Sequence, residues 1–171
     1  RENGVGLYGN LTDSLEYRVY VQNSFNGISD GASTIEGYDL RGIRQKGGNA
    51  LAEDLAVTGR LDWKPQNGVM IGGSFWSGEM GHGQELFEAP ESETDSDFAS
   101  LGTPGIQTNI YELHAEYKRG GWWLRGLAAQ AQIDDADLLS ASLADDNYDV
   151  QGHNVGETMN GWYAEVGYDI M

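Results

Sequence analysis

Leu55-Ala56-Val57-Thr58-Gly59-Arg60-Leu61-Asp62-Trp63-Lys64-Pro65-Gln66-Asn67-Gly68-Val69-Met70-Ile71-Gly72-Gly73-Ser74-Phe75-Trp76 is the stretch on which the fold turns. Its apolar residues recur at every second position: Leu55, Val57, Gly59, Leu61 and Trp63, then Val69, Ile71, Gly73 and Phe75. Thr58, Arg60 and Asp62, then Met70, Gly72, Ser74 and Trp76, take the alternate positions. A period of two belongs to a pleated strand with unlike faces, because successive side chains point to opposite sides. Gln66-Asn67-Gly68 carries the Asn-Gly signal of a tight hairpin, since both residues accept positive φ. The stretch therefore reads as a β-hairpin with one apolar and one polar wall.

The same alternation recurs on both sides of it. Leu15, Tyr17, Val19, Val21 and Phe25 oppose Glu16, Arg18, Tyr20, Gln22 and Ser24. Tyr111, Leu113, Ala115 and Tyr117 oppose Glu112, His114, Glu116 and Lys118. Trp122, Leu124, Gly126 and Ala128 oppose Arg125, with Leu127 breaking the split, and Trp162, Ala164, Val166, Tyr168 and Ile170 oppose Glu165 and Asp169. Val5, Leu7 and Leu11 mark a first, weaker segment, which makes seven in all. Their connections alternate between short (12–14, 64–68, 118–121) and long (26–54, 78–108, 133–158). Arg119-Gly120-Gly121 supplies further turn residues that tolerate positive φ. A soluble sandwich has no reason to lengthen every second connection. A barrel crossing an outer membrane does, because its periplasmic turns are tight and its extracellular loops large.

Composition agrees. The chain has 171 residues, 25 of them glycine, and its three prolines (Pro65, Pro90, Pro104) all fall in connections, as an all-β chain requires. No apolar run is long enough for a membrane-spanning helix, which leaves strands as the only means of crossing. With no cysteine, disulfides and thiolate metal sites are excluded. The sequence starts inside a strand unit without a visible signal peptide, so an exported chain would be processed or truncated. The formal charge of −17 is concentrated: the three long connections hold 19 acidic and 3 basic residues, and the remainder is within one charge of neutral. Such a surface repels nucleic acid and attracts cations. In the third connection, Asp134, Asp135 and Asp137 ahead of Leu138, Leu139 and Leu143 predict a short helix packed over or into the barrel mouth.

The aromatics of the apolar wall sort by strand end. Tyr17, Trp63, Tyr117, Trp122 and Tyr168 lie toward the short turns, and Phe25, Phe75, Tyr111 and Trp162 toward the long loops. Two aromatic belts around an apolar band of six to eight residues per strand are what a bilayer interface selects. The opposite wall carries Glu16, Arg18, Arg60, Asp62, Glu112, His114, Glu116, Arg125 and Glu165, too many charges for a solid core. They are expected to line a water-filled lumen, with the arginines facing the acids across it. Lipid is the economical cover for the apolar wall. The expectation is an all-β fold: a transmembrane antiparallel β-barrel, with residues 1–171 forming a portion of one barrel domain. Seven strands leave open edges, which lipid does not tolerate. At about 24 residues per strand, a porin-sized barrel of 16 to 18 strands would run to roughly 390–440 residues, of which this chain is a little under half. An eight-stranded barrel with one strand misread is the alternative.

A family resemblance accompanies this reading. Glu2-Asn3-Gly4-Val5-Gly6-Leu7-Tyr8-Gly9 and Leu15-Glu16-Tyr17-Arg18-Val19-Tyr20-Val21-Gln22-Asn23 resemble strands of Gram-negative porins, as do Gly59-Arg60-Leu61-Asp62-Trp63-Lys64-Pro65 and Gly68-Val69-Met70-Ile71-Gly72-Gly73-Ser74. As a pattern over most of the chain, the similarity is to the phosphate-selective porin-like family. The resemblance implies a homotrimeric, 16-stranded outer-membrane channel for small hydrophilic solutes or ions. That family's anion selectivity depends on a ladder of lumenal arginines and lysines. Here Arg18, Arg60 and Arg125 are interleaved with at least as many acids, so phosphate selectivity does not carry over. Mild cation selectivity is expected instead.

Other chemistry is thinly supported. Glu112-Leu113-His114-Ala115-Glu116 puts two carboxylates and an imidazole on one face, which suits a metal site or acid–base pair. A polar wall neutralised by Arg125 on the next strand is the plainer reading. Glu91, Glu93, Asp95 and Asp97, like Asp145, Asp146 and Asp149, form oxygen-rich loops that can take calcium, although neither has EF-hand spacing. A soluble or surface β-protein binding calcium or carbohydrate through these loops is the alternative to a channel. Gly81-His82-Gly83 is too short for a phosphate cradle, and no nucleophile elbow, P-loop or dinucleotide fingerprint occurs. The chain is not expected to be an enzyme.

Overall fold

The computed structural model of the chain describes residues 2–35, 37–48, 50–88, 99–142 and 154–170. The described residues form β1 (Gly4–Thr12), β2 (Leu15–Asn23), β3 (Ile28–Ser29), β4 (Ala32–Ser33), β5 (Leu55–Gln66), β6 (Val69–Glu79), β7 (Leu86–Phe87), β8 (Ser100–Gly102), β9 (Gln107–Arg119), β10 (Trp122–Ile133), α1 (Ala136–Ala141) and β11 (Thr158–Tyr168). The seven long strands are the seven segments read from the sequence. They make one antiparallel sheet in the order β1-β2-β5-β6-β9-β10-β11, so each pairs with its neighbours in the chain. The fold is all-β, and the sheet is not closed: β1 and β11 are its edges.

The strands run for 9 to 13 residues, longer than the six to eight of the apolar band. Pairing continues past the apolar stretch into polar residues at both ends, because backbone hydrogen bonding does not depend on the side chain's polarity. The short turns follow their residue chemistry. Gly68 has φ +81, and Gly120 and Gly121 have φ +60 and +82. These left-handed values cost an L-residue energy and cost glycine little.

Register divides the sheet into two walls. One carries Val5, Leu7, Tyr17, Val19, Val21, Leu55, Val57, Leu61, Trp63, Ile71, Phe75, Tyr111, Leu113, Tyr117, Trp122, Leu124, Trp162, Val166 and Tyr168. Along the paired strands this wall's charged residues stand only at its margins: Glu79 opposite Gln107 at the long-loop end, and Arg119 opposite Trp122 at a turn. Among the described residues no element covers it: Leu113 is 70% exposed, Val5 77% and Trp162 81%.

The core lies elsewhere, at the long-loop end of the other wall. Ala56, Trp76 and Ile133 from the strands meet Phe25, Ile28, Ile35 and Ile43 of the first long connection, Met80, Leu86 and Ile106 of the second, and Ala136, Leu139 and Val155 of the third. The loops are therefore folded inward over the polar wall. Phe25 corrects an expectation: it is buried, stacked on Trp76 at 4.3 Å between ring centroids, and not on the apolar wall. The strand ends at Asn23, so the period of two no longer governs where residue 25 points. The predicted helix is α1, whose Ala136 and Leu139 enter this core. Among the described residues no helix is long and apolar enough to cross a membrane.

Candidate functional site

The polar wall gathers all nine charged residues singled out in the sequence. Along the register, one row runs Asn10, Glu16, Asp62, Gly72, His114, Leu127, Tyr163. The next runs Tyr8, Arg18, Arg60, Ser74, Glu112, Ala129, Gly161. A third holds Met70, Glu116, Arg125 and Glu165.

Within this wall one network closes on itself. Arg60 Nε donates to both Asp62 oxygens, at 2.8 and 3.1 Å, and its Nη2 lies 2.9 Å from His114 Nε2. His114 Nε2 is 2.8 Å from Asp62 Oδ1, and its Nδ1 is 2.8 Å from Glu112 Oε1. Ser74 Oγ donates to the other Glu112 oxygen at 2.8 Å. The Asp62 side chain is 5% exposed and that of His114 9%. A carboxylate so removed from water keeps its charge only when paired and hydrogen-bonded, and Asp62 has partners on two strands, Arg60 on its own and His114 on β9.

Asp62 and His114 sit on β5 and β9, on either side of β6. Two sheet spacings, roughly 9.6 Å, separate their backbones. They touch because the residue between them is Gly72. A Cβ there would lie 2.5 Å from Asp62 Oδ1 and 2.5 Å from His114 Nε2. Neither Gly72 nor Ser74 stands out in the sequence as a site residue, since their importance depends on which strands become neighbours.

Two further pairs flank the network. Arg125 Nε and Nη2 both donate to Glu165 Oε2, at 3.0 and 2.6 Å, and Lys64 Nζ meets Glu16 Oε1 at 2.6 Å. Arg125 also lies against Trp123 and Tyr163, with Cζ 5.0 and 5.6 Å from their ring centroids. Arg18 is exposed, stands directly opposite Arg60, and has no ion pair among the described residues. The cation that meets His114 is thus Arg60 and not Arg125, which is turned toward Glu165. The pairs close within one wall, which reduces the field the sequence predicts across a lumen.

Eight of the nine predicted interface aromatics, Tyr17, Trp63, Phe75, Tyr111, Tyr117, Trp122, Trp162 and Tyr168, share the apolar wall. Trp122 and Tyr168 touch, with ring centroids 4.8 Å apart at the short-turn end. Among the described residues no three His, Asp or Glu groups converge as a metal site. His114 has both ring nitrogens engaged by protein groups. The proposed calcium ligands Glu91, Glu93, Asp95 and Asp97, and the group Asp145, Asp146 and Asp149, lie outside the described residues.

His82, discarded as part of a phosphate cradle, is structural. It is buried, its Nε2 lies 2.9 Å from the Phe25 carbonyl, and its Nδ1 accepts from the Asp54 N–H at 3.1 Å. With Nδ1 accepting, Nε2 is the protonated nitrogen and donates to Phe25. The ring thereby joins the first long loop to the second.

The chain is similar to an uncharacterized protein of Aquifex aeolicus (strain VF5), 32% identical over 174 residues. The match covers 99% of this chain but 35% of that protein, so the chain spans about a third of its relative's length. No family model matches the chain, and no solved structure matches it.

Proposed function

We propose that the chain is part of an outer-membrane β-barrel channel of porin type, through which small hydrophilic solutes or ions diffuse passively. One observation carries this reading: an uncovered apolar wall seven strands wide, backed by a wall of ionised side chains. In water, each exposed Val, Leu, Ile or Phe forgoes roughly 1.5–3 kcal/mol of burial. Lipid removes that cost, and a water-filled lumen removes the cost of the opposite wall's charges. At roughly 3.3 Å per residue and a tilt near 40°, the apolar band of six to eight residues per strand rises roughly 15–20 Å. An eleven-residue strand carries the pairing beyond it to roughly 25 Å, enough to span an outer-membrane barrel.

The open edges fit this reading when further strands complete the barrel, because lipid does not satisfy unpaired backbone groups. At about 24 residues per strand, a chain of the relative's length has room for 16 to 18 strands. Trimeric assembly is the part of this proposal that rests on the porin resemblance alone. The inward-folded long loops narrow the lumen at one end, and their acidic residues favour cations there.

The test is planar-bilayer recording of the complete polypeptide in a KCl gradient. Stepwise conductance with a reversal potential of mild cation preference is the expected result. A protein that stays soluble and never inserts defeats the channel, and a clear anion preference defeats the selectivity.

A further inference from the structure

Arg125 and Glu116 stand directly opposite one another on β10 and β9. Side chains at such positions have Cβ atoms roughly 4.5–5.5 Å apart, and opposite charges there ordinarily pair. These do not: the ion pair of Arg125 is with Glu165 on the other side, and that of His114 is with Glu112 and Asp62. Arg125 is held away from Glu116 by its contact with Glu165 and by the rings of Trp123 and Tyr163. Of the guanidinium's five N–H donors, two are used, both on a single Glu165 oxygen. Among the described residues Glu116 accepts only from Trp123 Nε1, at 3.4 Å. Donors and acceptors of opposite charge are thus left facing a common hollow of about 430 Å³, which Met70, Leu127 and Tyr163 also line.

We infer that this hollow is a subsite for a small zwitterion carrying an apolar side chain, the chemistry of an aliphatic α-amino acid. The solute's carboxylate meets the free donors of Arg125, its ammonium meets Glu116, and its side chain lies on Leu127 and Met70. An anion alone would bring its charge up to Glu116, and a cation alone would face Arg125. Only a solute carrying both charges close together satisfies both residues. Arg60, His114 and Glu112 line the same hollow, but they are engaged with one another and with Asp62, which leaves Arg125 and Glu116 as its open charges. The inference rests on the channel reading, since the hollow is useful to a passing solute only when this wall faces a lumen. Half-exposed charges make the binding weak, as a diffusion channel needs if solutes are to leave.

The test uses the complete polypeptide in a planar bilayer, after its KCl conductance has been recorded. Leucine is added, and compared with N-acetyl-leucine (anion), leucinamide (cation) and N-acetyl-leucinamide (neutral). Saturable reduction of the current by leucine at millimolar concentration is expected, with each analogue at least fivefold weaker. Glu116→Gln should raise leucine's half-blocking concentration at least fivefold while stepwise KCl conductance persists. The analogue comparison needs no variant, so a misfolded substitution does not remove the test. Open channels on which leucine acts no better than the neutral analogue overturn the subsite alone. Block unchanged in a conducting Glu116→Gln channel does the same. Absence of any conductance overturns the channel reading, and the subsite with it.

Discussion

Gly72 is where one missing side chain decides the chemistry of the polar wall. His114 on β9 reaches Asp62 on β5 only across the bare backbone of β6. Gly72→Ala would force a methyl group into the contact, 2.5 Å from both partners, where real Cβ atoms do not go. Overpacking of this kind costs roughly 1–3 kcal/mol, and two paired groups of low exposure lose a partner as well. Gly161→Ala is the matched control, because its Cβ meets nothing within 4 Å and its φ is not positive. Denaturant unfolding of the refolded protein in detergent should place Gly72→Ala at least 1 kcal/mol below the parent and Gly161→Ala within about 0.5 kcal/mol of it. Equal midpoints would mean that the Asp62–His114 contact contributes nothing.

The long connections behave as one packed element. Their backbones are cross-tied: Gly27 N–H donates to the Met80 carbonyl at 2.8 Å, Phe87 N–H to Gly31 at 2.8 Å, and Ser33 N–H to Ser142 Oγ at 3.1 Å. Phe25, stacked on Trp76, sits where this cluster meets the sheet. Truncating a buried Phe to Ala costs roughly 3–5 kcal/mol. Here the loss falls mainly on the loops, because the strands keep their own backbone ladder when the shared cluster loosens. Limited proteolysis of Phe25→Ala should cut within 24–54 and 80–106 at protease levels that spare the parent, while the strands stay protected. Cleavage spreading into the strands would show that loops and sheet unfold as one unit.

At the scale of the whole molecule, much was legible beforehand. The seven strands, the turn glycines and the separation of apolar from charged residues follow from a period of two, which is local information. Phe25 misleads that reading because the period carries no notice of where a strand stops. The inward packing of the loops was not legible either, since Ile28, Met80 and Leu139 are far apart in sequence and meet only after the sheet forms. Nor was the exchange of Arg60 for Arg125 as partner of His114. That choice depends on cross-strand register and on Gly72, and no single strand displays it. The belts of aromatics and the charged rows were visible because each lies within a strand, where alternation fixes the face.

The central claim is that the apolar wall meets lipid and the charged wall meets water. The chain has no cysteine, so single cysteines can be placed along β9 without competing sites within it. Spin labels at Tyr111, Leu113 and Ala115, and at Glu112 and Glu116, in the complete polypeptide reconstituted in lipid, test the claim most directly. Collision with oxygen, which concentrates in lipid, should dominate at the odd positions, and collision with a water-soluble nickel chelate at the even ones. Equal access of the nickel reagent to both sets would place the apolar wall in water and contradict the membrane assignment.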